Sequence, residues 1–383
     1  MKSQGKAAGT DILALIGKHR KLIMGFAAIY ILIFHEYQHI LSHGSFWYEI
    51  FHCFKRFGFM GVDVFFLLSG MGLTYSIHKT GVGMFYYKRL RRIAFPFLCI
   101  GIIRAVYDNW AFVDFVKNVT GINFWIKNMY SYLWFVPAIA AFYLLFPLYN
   151  KIFEKMSNKI SFTGVVICIW LLLSMIFAGS MKSAGREEFY GFTNRIPVFV
   201  IGVLIGWLSQ NRKLYIKGIS WVFIILLNAV GFYLAIQTNY NNMFILVPIS
   251  NCCIPNMLMA VSLTMLLVKL FDLLSKAKVG KPVTLFFGFF GMISLEFYCV
   301  QELLGRIILP NMSTALPIAK NIVLFAAVTL AATALYYAEK YFWVVLKLPF
   351  KKKKKLDGGN YARKCTSRNN GKNNHSWACQ RVY

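Results

Sequence analysis

Residues 22–35 read LIMGFAAIYILIFH, thirteen apolar or small residues closed by a histidine and preceded by Lys18, Arg20 and Lys21. Continued to Leu41, the run reaches the ~20 residues that a helix needs to cross a hydrocarbon core of ~30 Å. No small-residue cleavage site follows it, so a retained first span is expected and not a removed leader. Working outward, similar runs lie at 59–78, 93–109, 132–150, 160–179, 196–210, 218–237, 247–271, 283–302 and 319–343. An unpaired backbone group in lipid costs several kcal/mol, and the alternating ten-residue pattern of a barrel does not occur, so these segments are expected to be helices. The expected fold class is all-α, a polytopic transmembrane bundle of about ten spans.

Composition points the same way. Hydrophobic residues make up 58% of the 383 and charged residues 15%, against roughly 25% charged in a soluble globular protein; the mean hydropathy is +0.55. The net charge of +28 falls in short clusters between apolar runs, which writes membrane topology and makes nucleic acid an unexpected partner. Alternate loops, beginning with residues 1–21, carry 31 of the 42 basic residues, and the opposite loops carry 9. The positive-inside rule then predicts cytoplasmic N and C termini and a multi-pass protein of the cytoplasmic (inner) membrane. Residues 1–21 are expected to be a cytoplasmic segment, 22–345 the transmembrane domain, and 346–383 a basic, disordered cytoplasmic tail. The eight cysteines include no C-x-x-C pair, and neither a disulfide framework nor a metal site is expected. No internal repeat is visible, although many transporters have one. Oligomeric state has no signature in the chain.

Ionisable groups inside membrane helices are costly and default to functional hypotheses. Here they are His35, Asp63, Arg104, Glu296 and Glu302. At 1.5 Å per residue His35 sits about 20 Å beyond Leu22, a depth that suits a base serving an outer cavity; Glu36 follows it directly. An interfacial histidine bonded to Glu36 or to a carbonyl is the plainer alternative. Asp63, at the start of the second span, could orient a histidine, cap a helix or face water. The cluster Lys88-Arg89-Leu90-Arg91-Arg92 could hold a phosphorylated group through Arg forks, or serve only as a topology signal. Trp134 fits an ordinary interfacial belt, and Arg195 a loop charge or a rim residue.

Taken together and in order, these segments resemble the acyltransferase-3 family of integral membrane acyltransferases, the group that includes bacterial polysaccharide and lipopolysaccharide O-acetyltransferases. The resemblance spans about residues 20 to 345. It rests on Phe34-His35, on GVDVFFLLSG at 61–70, on YKRLRRIAFP at 87–96, on LWFVP at 133–137 with FYLLFP at 142–147, on RIPVFVIG at 195–202 and on GMISLEFY at 291–298. It implies transfer of an acyl group, usually acetyl, from cytoplasmic acetyl-CoA (acyl-CoA) to a hydroxyl of a cell-envelope carbohydrate or glycolipid acceptor, with no permanently bound cofactor. His35 matches the family's catalytic histidine, and Arg89 with Arg92 its Arg-x-x-Arg element. The family commonly has an arginine ten or eleven residues before the histidine, where this chain has Gly25 and Met24; a histidine often follows the last tyrosine, where Gln301 stands here.

The expected mechanism is direct transfer. His35 takes the acceptor proton, with Glu36 or Asp63 fixing its tautomer. Arg89 and Arg92, with Ser69 on the adjoining Gly61/Ser69/Gly70/Gly72 face, serve the donor. Trp134 and Arg195 serve the acceptor. A transporter or flippase of an envelope intermediate is the competing class, in which His35, Asp63, Arg104 and Glu296 would form a proton or substrate path.

Overall fold

The computed structural model describes residues 10–127, 133–183, 190–239, 253–277 and 280–357. Helix α1 (Ile12–Glu36) starts behind Asp11, whose side chain accepts the Leu13 N–H as an N-cap. It ends where the extended Tyr37 donates back to the Ile33 carbonyl. A short amphipathic helix, α2 (Phe46–Arg56), capped by Ser45, leads into α3 (Met60–Tyr107). Then come α4 (Phe112–Val119), a π-helical turn at Asn123–Lys127, α5 (Phe135–Lys155), α6 (Lys159–Ser183), α7 (Tyr190–Thr193), α8 (Ile196–Asn211), α9 (Gly218–Asn239), α10 (Cys253–Lys276), α11 (Lys281–Met292), α12 (Ser294–Asn311) and α13 (Pro317–Asp357). The departure from all-α is small: β1 (Thr10–Asp11) pairs antiparallel with β2 (Tyr215–Ile216).

Seven segments of the described residues are long and apolar enough to cross a membrane, or eight if one bent pair counts as a single span. Two differences from the ten expected spans have physical causes. The runs at 59–78 and 93–109 are halves of α3, which turns at Gly81 with φ +66°, a left-handed conformation that glycine adopts without a Cβ clash. The stretch between them, with Arg89 and Arg92, is therefore helical. The run at 283–302 is broken at Ile293 into α11 and α12, which meet at 76°. The apolar run of α1 itself is short, since Arg20, Lys21 and Glu36 bracket the uncharged residues 22–35. Residues 247–252 of the eighth expected span and 358–383 of the expected tail lie outside the described residues, and α13 runs helical to Asp357.

The chain up to Tyr336 forms one compact unit and the chain from Tyr337 a second. In the first, α1 packs on α3, α10, α11 and α12, and α3 lies along α8. Small residues permit these approaches, because a membrane interface gains mainly from close van der Waals packing. Gly70 lies against the Phe199 carbonyl and Gly202 against the Leu67 carbonyl; Gly61 backs onto the Ala27 carbonyl, where a Cβ would stand 2.6 Å from the oxygen. The Gly61 and Gly70 positions thus serve helix packing. Gly202→Val should pry α8 from α3, and the check is a fall in melting temperature in detergent; an unchanged melt would mean that the contact is not tight.

Candidate active site

Arg20 and His35 stand fifteen residues apart on α1, which separates them by roughly 22 Å along the axis and only about 60° around it. One helix therefore carries a guanidinium at its basic end and an imidazole near its other end.

At the basic end, Arg20 Nη2 donates to the Leu68 carbonyl at 3.3 Å and passes over Gly72. Arg89 comes from the second half of α3, its guanidinium 5.7 Å from the Phe85 ring centroid and 5.8 Å from that of Tyr143. Arg89 lies close enough to Arg20 for the two positive charges to act on each other. Neither Arg20 nor Arg89 has a carboxylate partner among the described residues, and the Nε of each is buried without an acceptor. Two like charges held together in a low dielectric repel unless an anion joins them. Ser69, half-buried, is the next residue after Leu68. Arg92 is placed differently: it forms a bidentate pair with Glu296 of α12, through Nη1 to Oε1 and through Nη2 to Oε2 at 3.0 Å. Glu296 is fully buried, while the Arg92 side chain remains 39% exposed.

Near the other end of α1, the His35 ring is exposed and stands edge-on to Phe34 at 4.8 Å between centroids. The carboxylate that acts on it is Glu302 of α12. Glu302 Oε1 accepts from Arg104 Nη1 at 2.7 Å, and Arg104 Nε donates to Asp108 at 3.0 Å. Arg104 also lies over the Trp110 ring, 5.9 Å from its centroid, and is buried. The Glu302 carboxylate is thus held by a cation that is itself fixed, one helical turn from a second carboxylate. Glu36 points to the same helix: its carboxylate lies on Gly305, where a Cβ would collide with it. Tyr298, one turn before Glu302, is buried edge-on to Phe135 at 5.2 Å.

A third group ties α3, α5 and α8 together. Asp63 is fully buried, and Arg195 meets it with Nε 3.3 Å from Oδ1 and Nη2 3.5 Å from Oδ2. The Arg195 guanidinium stacks over Trp134 at 5.4 Å and donates to the Gly191 carbonyl at 3.1 Å. Trp134 opens α5 directly after Leu133, whose φ of +48° is a strained conformation for a branched side chain.

A family model described as an acyltransferase domain matches residues 22–338. The chain belongs to the acyltransferase-3 family. Two Staphylococcus aureus proteins, from strains COL and MW2, each provisionally named an O-acetyltransferase, are 25% identical to this chain over 199 residues, covering 43% of this chain and 33% of theirs. The match thus spans a third of the length of these curated relatives. No solved structure matches the chain.

The family's motifs gather in this chain as three groups. Trp134, Arg195 and Asp63 meet, as do Glu296 and Arg92, whereas His35 stands with Glu36 and Glu302. No hydrogen bond or ion pair joins Asp63 to His35 among the described residues, and Asp63 is occupied by Arg195. Nor does it cap α3, whose N-cap Phe59 offers no side-chain bond. Among the described residues no hydrogen bond joins His35 to any carboxylate; Glu302 is the one that acts on it electrostatically, and composition could mark Glu302 as a costly in-span charge but could not pair it with Arg104. The missing upstream arginine also has a structural cause. Gly25 backs onto the Phe287 carbonyl and the Gly291 amide of α11, so no side chain fits there. Arg20, one turn before Met24 and on the same face, donates to the Leu68 carbonyl and has Arg89 close enough to act on its charge. That i,i+4 relation between positions 20 and 24 was the signal in the sequence.

Proposed function

We propose that this chain is an integral membrane O-acyltransferase, most simply an O-acetyltransferase, that moves an acyl group from acyl-CoA to a hydroxyl of a cell-envelope carbohydrate or related acceptor. One observation carries the reading: α1 bears at its basic end Arg20, gathered with Arg89 of α3 and without a carboxylate partner among the described residues, and near its other end the exposed His35, on which Glu302 of α12 acts electrostatically. The basic end is placed in the cytoplasm, in line with the positive-inside distribution. Arg20 and Arg89 receive the donor's phosphates, whose oxygens suit guanidinium forks. The exposed part of Arg92 adds charge beside them, and Ser69 lies on the path between this cradle and the middle of α1.

At the other end, His35 takes the proton of the acceptor hydroxyl as that oxygen bonds to the thioester carbonyl carbon. The carbon–sulfur bond then breaks, and the thiolate leaves with a proton returned from the imidazolium. Glu302 favours the cationic form of the imidazole through its charge. Arg104 holds the Glu302 carboxylate in place. Arg195 and Trp134 line the acceptor side. The roughly 22 Å between cradle and base is bridged by the extended arm of the donor.

Thiol release from acetyl-CoA by the purified protein, dependent on His35, tests the reading. Transport of an envelope intermediate with no thiol release would put the flippase class in its place. Replacing Arg20 and Arg89 by glutamine is expected to raise KM for acetyl-CoA about tenfold or more, with kcat little changed. An unchanged KM would show that these residues set topology only.

A further inference from the structure

A groove of about 430 Å³ runs between the end of α1 and the start of α13, beside Glu36. Its size falls in the range of about 300–1,000 Å³ typical of ligand sites. Leu32, Ile33 and Tyr37 form one wall and Ile318, Ile322 and Phe325 the other. Polar and aromatic contacts tie its two walls to the bundle. Gln38 N–H donates to Asn321 Oδ1 at 2.8 Å and Asn321 Nδ2 to the Gln38 carbonyl at 2.7 Å. At the opposite end Phe325 packs on Phe290 and Phe297, with centroids 5.4 and 6.3 Å away.

The long side is open. Ile318 and Ile322 are 52% and 63% exposed, and the i,i+4 stripe continues through Ala326 to Leu330, 72% exposed. This stripe is the apolar outer face of a helix long and apolar enough to cross a membrane, so the groove is continuous with the surface that meets hydrocarbon chains. Its chemistry excludes a sugar. The Asn321 amide is already bonded to Gln38, which leaves Glu36 as the one charged group on the wall, and a buried sugar would leave hydroxyls without partners. A hydrocarbon chain loses nothing there.

The groove also leads to the proposed chemistry. The Glu36 carboxylate at its wall reaches Gly305, one turn from Glu302, and Glu36 directly follows His35 at the end of α1. We propose that this groove seats the hydrocarbon chain of a lipid-anchored acceptor, so that the hydroxyl of its headgroup arrives at His35. The proposal deepens the acyltransferase reading and rests on it.

The test uses membranes holding the full chain and their own acceptors, supplied with acetyl-CoA labelled in the acetyl group. Label is expected in the fraction that organic solvent extracts. Ala326→Trp and Ile322→Trp, both on the exposed rim where a larger ring can be accommodated without disturbing the core, should lower that label at least tenfold, with acetyl-CoA binding unchanged. In parallel, a decyl glucoside bearing a diazirine at its chain end is photo-crosslinked to the wild-type protein. Crosslinks are expected within residues 318–326 and 32–40, and both variants should lose them. Label confined to lipid-free glycan, lipid labelling that both variants leave intact, or crosslinks only elsewhere would each overturn the proposal. Failure of the acyltransferase reading looks different: label and thiol release would not exceed those of a His35→Gln control, whatever the crosslinks show.

Discussion

His35→Gln is expected to lower acyl transfer about 10²–10⁴-fold, the usual worth of a positioned general base. Glutamine keeps a polar side chain of similar reach but cannot accept the acceptor's proton at neutral pH. Because the ring is exposed and makes its close contact with Phe34, the replacement should leave membrane insertion and the melting temperature near those of the wild type. Acetyl-CoA binding should persist as well, since the arginine cradle lies at the other end of α1. Transfer at the wild-type rate would remove His35 from the chemistry. Glu302→Gln provides the finer reading: kcat should fall and the pH profile of transfer should move, because the imidazolium loses its carboxylate while the base remains. If only stability fell, Glu302 would be a plain structural partner of Arg104.

Arg195→Met should cost about 3–5 kcal/mol of stability, the effect of leaving a buried ion without its partner. Asp63 is fully buried, and its described counter-charge is Arg195, so the carboxylate must either protonate or pull the first turn of α3 toward water. Melting in detergent measures the loss. The double variant Asp63→Leu with Arg195→Met should recover most of it, since a buried pair is often replaceable by apolar groups. A single variant as stable as the wild type would show that Asp63 is solvated or paired otherwise. Transfer by the refolded double variant separates the pair's two roles: a raised acceptor KM at full stability assigns Arg195 and Trp134 to acceptor binding.

The helical, membrane-crossing character of this chain was legible in its sequence because hydropathy is a sum over neighbours: residues 196–210 and 218–237 need no distant information to read as apolar helices, and α8 and α9 begin at the same residues. The identity of the costly groups was also legible, since His35, Asp63, Arg104, Glu296 and Glu302 interrupt apolar runs. Their partners were not. Arg92 finds Glu296 from 204 positions away, and Asp63 finds Arg195 from 132, and no local rule links residues so distant. Glu36, adjacent to His35 in the chain, points instead to Gly305, because neighbouring residues on a helix project about 100° apart.

Two bends were hidden for a related reason. Gly81 permits a left-handed turn but does not demand one, and the break at Ile293 falls two residues after Gly291, which is pressed against the Lys21 carbonyl of α1. The place of Arg20 depended on packing too, because Gly25 is pressed against α11 and an arginine is accommodated only a turn earlier on α1, where Arg20 meets the Leu68 carbonyl. Covalent neighbourhood and the cost of backbone groups in lipid suffice to dictate helices and their approximate positions. Which charges meet, which glycine bends and which face opens to lipid depend on contacts between helices far apart in the chain, and these exist only once the bundle has closed.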